Sequence, residues 1–468
     1  MIIIPANTLS TGGFDVANSC RFNDGSSDYL NRTLGTATNK KKFTISVWFK
    51  KCNNSNGQYL ASAGTDVSSV IDDLSIHSSQ ALNFSGYESG TTYKLRTNAL
   101  LRDTSAWYHA VVNFDSTQGT DTNRLKMYIN GEQITSFVES TYPSLNLEVQ
   151  FNKNVEHMVG RNLGGSLYMD GYMAEFCFID GTALDPTSFG EFDEDSGIWK
   201  PISVSGLTFG TNGFYLDFED SAALGDDVSG NGNDFTVNNL TAIDQTTDTP
   251  TNNFCTMNPL DNYYANATFS EGNVVYSSAR YASPTSTFAI TQGKWYWEIK
   301  VNSMAAAAFI GITSATADAT NFEFGNKSGA IAGWVYAMNG AIYGNGGTPH
   351  GTGVFATYGA GDTLMMATDL DSNKIYFGKS GTWGNSQNPV DGTNSIAISA
   401  LSTQTSGYYR FGAMGETGNA TVFSWNFGNP AHTISSGNAD GNGYGNFEYA
   451  PPSGYLALNT ANLSEVLS

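Results

Sequence analysis

The run Glu191-Phe192-Asp193-Glu194-Asp195 is this chain's nearest approach to the paired carboxylates that cleave glycosidic bonds. Retaining hydrolysis needs two such groups about 5–5.5 Å apart, one acting as acid and the other as nucleophile. Here the run follows Asp185-Pro186 and precedes Gly197, the setting of an exposed turn, so no catalytic residue is assigned. A second cluster, Asp226-Asp227-Val228-Ser229-Gly230-Asn231-Gly232-Asn233-Asp234, alternates oxygen donors with small residues. A hard cation takes about six to eight oxygens, and a glycine-permissive loop can wrap one. Asp227, Asn231, Asn233 and Asp234 are therefore the candidate calcium ligands, and calcium is the only cofactor considered. The same residues also suit an Asn/Gly turn whose side chains cap their own backbone. For binding without chemistry, the candidates are Tyr343 and His350 in the glycine-rich stretch 338–353, with Tyr263 and Tyr264. Sugars stack their apolar faces on aromatic rings and meet polar groups at the rim.

Nothing else in the chain promotes catalysis. The histidines, His77, His109, His157, His350 and His432, share no HxH or HxxxH spacing, and His109 falls inside a strand pattern. Cys20, Cys52, Cys177 and Cys255 form no CxxC pair, which leaves buried thiols as the reading.

The elements that position these residues are strands. Aromatics make up 13% of the 468 residues and charged side chains only 14%, and there are 51 glycines. Aromatic and β-branched residues fill pleated faces, while Gly and Asn supply positive φ in tight turns. FTISVWFK (43–50) alternates so that Phe43, Ile45, Val47 and Phe49 share one face. LKMYI-NG-EQITSF (125–137) reads as a hairpin on the Asn130-Gly131 dipeptide. Asp185-Pro186 has the form of an N-cap and first helical residue, with Phe189 able to fold back on the core. A second set of strands starts at KWYWEIKV (294–301) and ends at TVFSWNF (421–427). Trp295, Trp297, Trp334 and Trp425 fall on its strand faces and read as core. Polar residues with Pro250 and Pro259 dominate 236–262, and the linker is placed at 241–265. The expected architecture is all-β: two antiparallel sandwiches in tandem, at residues 1–240 and 266–468.

A net charge of −21 argues against nucleic acid and anionic membrane surfaces as partners. The first apolar run is only Ile2 to Ile4 before Pro5, too short for a signal-peptide core, and no run approaches the about 18 apolar residues of a membrane span.

FTISVWFK, WYHAVVNFD (107–115), LKMYINGEQI (125–134) and MDGYMAEFCFIDGTALDPTSF (169–189) follow one another in an order that resembles the laminin-G/concanavalin-like lectin superfamily. The likeness covers about residues 20–200 and implies a concanavalin-like jelly roll. Its departure is that GFYLDFEDSAALGDDVSGNGNDFT (213–236), similar to a segment that opens many such domains, here follows the last motif. It would close the domain from the other end. GKWYWEIKV (293–301), FIGIT (309–313), GDTLMMATDLDSNKIYFGKSGTW (361–383) and YYRFGAMG (408–415) resemble a SPRY domain, which implies a second concanavalin-like sandwich. NNFCTMNPLDN (252–262) and PPSGYLALNTANL (451–463) are similar to segments that flank such modules in proteins of marine and cyanobacterial tailed bacteriophages.

These resemblances imply a non-enzymatic virion protein, assembled in the host cytoplasm: a tail fibre, a tail appendage or a capsid-bound accessory protein. Its expected partners are other phage structural proteins and a host-surface polysaccharide or protein receptor. Many copies, or a homo-oligomer, would raise its affinity on the particle. The alternatives are a free carbohydrate-binding lectin and a concanavalin-fold glycanase.

Overall fold

The computed structural model describes residues 13–88, 91–261, 267–278, 282–304, 308–314, 333–344, 348–349, 354–404, 406–415 and 421–467. They form two compact units, one ending at Asn252 and the other beginning at Asn253. Among the described residues no helix is long and apolar enough to cross a membrane.

The first unit is a sandwich of two eight-stranded antiparallel sheets. The first sheet runs β10 (Glu132–Gln133), β9 (Leu125–Ile129), β8 (Tyr108–Asp115), β3 (Lys42–Lys51), β13 (Gly171–Asp180), β1 (Ser19–Phe22) and β18 (Gln245–Thr246), with β16 (Phe214–Leu216) also paired to β13. The second runs β11 (Phe137–Thr141), β7 (Thr91–Leu100), β6 (Ala81–Glu88), β5 (Val70–Ile76), β4 (Gln58–Asp66), β12 (Glu156–Val159), β2 (Tyr29–Thr33) and β17 (Thr236–Asn238). As the period-2 pattern requires, Phe43, Ile45, Val47 and Phe49 of β3 enter one core with Leu74, Phe84 and Leu95 of the second sheet. Phe43 stacks on Phe114 at 4.7 Å between centroids. Burying apolar area in this way is the main stabilising term of such a fold.

Local signals hold in detail. Asn130 and Gly131 take φ of 48° and 81°, as a type I′ turn demands. A Cβ on Gly131 would strike the Trp199 indole, so the turn packs closely as well as tightly. The returning arm differs from expectation: β10 is Glu132–Gln133 only, and Phe137–Thr141 pairs with β7 in the other sheet. Ile134 and Phe137 pack against the shared core, which draws the chain off the first sheet. Asp185 caps Pro186–Ser188 by accepting from Thr187 N–H, and Phe189 is buried. Within 213–236, β16 pairs with β13 and the strand that follows, β17, begins at Thr236 and pairs with β2. The segment therefore adds strands to both sheets from the C-terminal side. The next residues, Gln245 and Thr246, pair with β1.

The second unit pairs β19 (Ala267–Ser270), β20 (Val275–Ser278), β31 (Thr421–Asn426), β21 (Lys294–Ser303), β26 (Thr363–Asp369), β27 (Lys374–Lys379) and β28 (Thr382–Trp383) in that order, with β29 (Ile396–Ala397) on β27. A five-stranded sheet, β25 (Thr348–Pro349), β24 (Ile342–Gly344), β23 (Gly333–Ala337), β22 (Ala308–Thr313) and β30 (Arg410–Gly415), shares its core. Trp297 meets Phe411 edge-on across that core at 4.3 Å. Trp295, Trp297, Trp334 and Trp425 are all buried.

The stretches 252–261 and 451–463 meet. Phe254 bridges Asn459, Cys255 N–H donates to Leu458 at 2.9 Å, and Thr460 N–H donates to Asn253 at 3.0 Å. The helix α1 (Thr460–Leu467) follows directly. Beside this clasp Glu298 is wholly buried. It accepts from the backbone of Glu448 at 2.9 Å and Tyr449 at 2.7 Å, and burial raises its carboxyl to about 7.

Candidate functional site

The outward side chains of the first unit's two sheets set up different chemistry. On the first sheet they are Ser46, Trp48 and Lys50 of β3 and His109 of β8, and neighbouring chain covers them. Lys50 Nζ pairs with Asp248 at 2.8 Å, both side chains are 0% exposed, and Trp107 Nε1 donates to the other carboxylate oxygen at 3.1 Å. Ser46 Oγ lies 2.8 Å from His109 Nε2, the spacing of a nucleophile and its base. The third member reverses that reading. Trp199 Nε1 contacts His109 Nδ1 at 3.0 Å, and an indole nitrogen can only donate. The proton therefore sits on Nε2 and points at Ser46, so the imidazole has no lone pair for the hydroxyl. Burial holds His109 down to about 3, and Trp48 stacks on it at 4.6 Å. The trio is a packing device.

The outer face of the second sheet is polar. Asp73 and Ser75 of β5 lie beside Asn83 and Ser85 of β6. Asp73 accepts from Ser75 at 2.8 Å, Asn83 at 3.0 Å and Ser85 at 2.7 Å. Burial raises the Asp73 carboxyl against the pull of these donors. Lys94 and Arg96 of β7 both pair with Glu139 of β11, at 2.9 and 3.1 Å. At the other end Arg161, just past β12, lies 3.6 Å over the Tyr29 ring, with Tyr168 alongside at 6.0 Å. All three are half-buried. Among the described residues this face carries no buried apolar cluster, whereas the first sheet's outer face carries two. Asp73, Ser75 and Asn83 are buried, so the groups that reach solvent are the half-buried Tyr29, Arg161 and Tyr168, and aromatic rings beside a guanidinium can hold a polyhydroxylated ligand by surface contact.

The residues singled out in the sequence fall elsewhere. Tyr343 is on β24, half-buried and edge-on to Phe309 at 6.2 Å. His350, Tyr263 and Tyr264 lie outside the described residues. Asp227 commits its carboxylate to the backbone N–H groups of Tyr215 (2.9 Å), Ser229 (3.0 Å) and Asn233 (2.8 Å). Asn231 and Asn233 donate their amides to the carbonyls of Gly210, Thr211 and Gly213, and Asp234 accepts from Asp227 N–H at 3.1 Å. These oxygens and amides staple a turn. Among the described residues no group of three or more His, Cys, Asp or Glu side chains is arranged to hold a metal. Glu191 and Asp193 flank one lysine, Lys200, at 3.5 and 3.1 Å, and Asp193 also caps its own turn through Ser196 N–H at 2.9 Å. The four cysteines are free and buried.

The sequence reading missed Tyr29, Asp73, Asn83, Arg161 and Tyr168. Tyr29 begins β2, whereas Arg161 and Tyr168 bound the loop RNLGGSLY. Only the pairing of β2 with β12, Leu30 opposite Val159, brings them together. No spacing in the chain announces it.

Residues 24–187 match the laminin-G-type family model of the concanavalin A-like lectin/glucanases superfamily. No curated protein matches the sequence. Among solved structures, the SPRY domain of human HERC1 is similar at 13% identity and a TM-score of 0.28, covering 36% of this chain and 96% of that one. A putative carbohydrate binding protein from Bacteroides ovatus is similar at 17% identity and a TM-score of 0.32, covering 48% of this chain and 59% of that one. Domain 4 of a GH43 extracellular arabinanase from Geobacillus stearothermophilus, solved with arabinotriose, is similar at 18% identity and a TM-score of 0.25, covering 33% of this chain and 66% of that one. The fold is a concanavalin-like β-sandwich, and the lectin-type match lies in the first unit.

Proposed function

We propose that this protein is a non-catalytic adhesion component of a tailed-bacteriophage particle, and that its first unit holds host-surface glycans on the outer face of the second sheet. The observation that carries the glycan reading is the half-buried Tyr29–Arg161–Tyr168 group on that face, a guanidinium over one aromatic ring with a second alongside, while Asp73, Ser75 and Asn83 are buried and bond one another and Ser85. The family described as lectins and glucanases supports the same chemistry, because its match spans strands of this sheet. The particle reading is supported by the two phage-like stretches, which pair with each other as a single unit of the second domain. Attachment to other virion proteins and display in many copies follow from it, since weak single sites gain from multivalency.

A glycan array probed with the full chain, with and without a chelator, tests the binding half. Signal on defined glycans is expected, and a blank array in both conditions sinks it. Antibody labelling of particles under the electron microscope tests the virion half, and unlabelled particles end that assignment.

A further inference from the structure

We propose that Arg161 is the receptor for the carboxylate of an acidic sugar, so that the glycan recognised on this face carries a uronate or sialate. The inference rests on the glycan reading above and names the class of ligand.

The argument starts from what Arg161 touches. A guanidinium offers five N–H donors in a rigid fork that matches a carboxylate bidentately. Other half-buried guanidinium groups of the first unit meet strong acceptors. Arg124 donates to the carbonyls of Gln118 (2.8 Å), Gly119 (3.0 Å) and Pro143 (3.0 Å), and Arg96 pairs with Glu139. Arg161 instead meets only weak acceptors, the Tyr168 hydroxyl at 3.4 Å and the Met158 thioether at 3.6 Å. Its Nε is buried without an acceptor, as are those of Arg32 and Arg96, so what sets Arg161 apart is that neither terminal nitrogen meets a carbonyl or a carboxylate. Among the described residues it forms no ion pair, in a chain with 43 acidic and only 22 basic side chains.

The surroundings hold the fork in place without neutralising it. Tyr29 lies beneath it at 3.6 Å, and Gly165 at φ 71° lets the loop backbone pass close to Nη1. Stacking fixes the plane of the guanidinium, so little rotamer entropy remains to be lost when an anion arrives. Tyr168 is half-buried and Leu167 is 43% exposed beside it, which offers apolar surface for a sugar ring next to the charge. Among the described residues the other cations on the face, Lys94 and Arg96, are already paired with Glu139, so a carboxylate meets no competing anion at the terminal nitrogens of Arg161. Charge-assisted hydrogen bonds to such a fork contribute about 1.5–3 kcal/mol, or roughly tenfold or more in affinity.

The test is a glycan array of matched pairs, each glucuronate-, galacturonate- or sialate-bearing glycan printed beside its carboxyl-reduced form and probed with the full chain. The wild type is expected to favour the acidic member by about tenfold, with the preference fading at high salt. Arg161→Met removes the charge and should erase the preference, so that acidic and reduced members give equal signal. Arg161→Lys should restore part of it. Equal binding to both members by the wild type, or an intact preference in Arg161→Met, overturns the proposal and leaves the glycan reading standing. A blank array sinks both.

Discussion

The two outer faces of the first unit begin from the same pleat and end in different states. On the first sheet, Lys50, Ser46 and His109 point away from the core, yet the segments around Trp199 and Asp248 lie across them and remove them from water. Each polar group there had to find a partner inside the protein. On the second sheet, Lys94, Arg96 and Arg161 keep part of their surface in solvent, and Arg161 pairs with no carboxylate. A covered polar face stabilises a fold and specifies it; an uncovered one is free to hold something else. The contrast separates residues that serve the structure from those available for binding, although both sets look alike in a one-dimensional pattern of alternating polar positions.

The sharpest way to break the comparison is at Lys50. Lys50→Met leaves the Asp248 carboxylate buried beside Trp107 with its cation gone. Removing one member of a buried pair costs about 3–5 kcal/mol. Urea unfolding should show that loss in the first unit's transition and none in the second's. A loss below about 1 kcal/mol would mean that water reaches Asp248 and that the face is not sealed.

Two adjacent aspartates sharpen the same contrast within one strand. Asp73 faces out, whereas Asp72 faces the core, where it accepts from Tyr93 and from Phe151 N–H at 2.6 Å. Burial raises Asp72 from 3.8 to about 7, against the lowering effect of those donors. A carboxyl whose folded pKa lies above its unfolded one favours folding fully below the unfolded value, near 4, and loses that contribution as pH rises to about 7. Asp72→Asn titrates in neither state. Relative to wild type the variant should therefore gain about 1.4 kcal/mol for each pH unit between 4 and 7. His109 and His157 act in the opposite sense, since burial lowers them to about 3 and about 4 and their contribution is lost as pH falls below 6.5. They are common to both proteins and cancel in the difference. A variant whose offset from wild type is flat with pH would show Asp72 ionised in the fold.

What the sequence disclosed follows from the range of each interaction. The inward set Phe43, Ile45, Val47 and Phe49, the turn at Asn130-Gly131 and the cap at Asp185-Pro186 depend on neighbours a few residues away, and all can be read from the chain. The pairing of 252–261 with 451–463 was not legible, since each stretch showed only a likeness to segments that flank such modules, and the crossing of Phe137 into the other sheet did not appear at all. Sheet membership is decided by where Ile134 and Phe137 find apolar contacts, which periodicity does not encode. The candidate site failed to appear for the same reason. Tyr29 and Arg161 are separated by most of the domain, and whether a strand's polar side is covered depends on where chain from far along the sequence, such as Trp199 and Asp248, comes to lie.

The smallest expected effect closes the comparison from the other side. Lys94 and Arg96 share Glu139, but Glu139 is 45% exposed and Lys94 30%, so both charges remain well hydrated. Exposed pairs of this kind contribute little, and Glu139→Ala should leave the urea midpoint almost unchanged. Raising ionic strength to about 1 M contracts screening to about 3 Å and should abolish even this difference. The Lys50→Met deficit should persist under the same salt, because no ions enter the space between Lys50 and Asp248. Two substitutions that each remove one partner from an ion pair of nearly equal length, 2.8 and 2.9 Å, would then differ severalfold in cost and oppositely in salt response. Only covering by distant chain separates them, and a salt-sensitive Lys50→Met would erase that distinction.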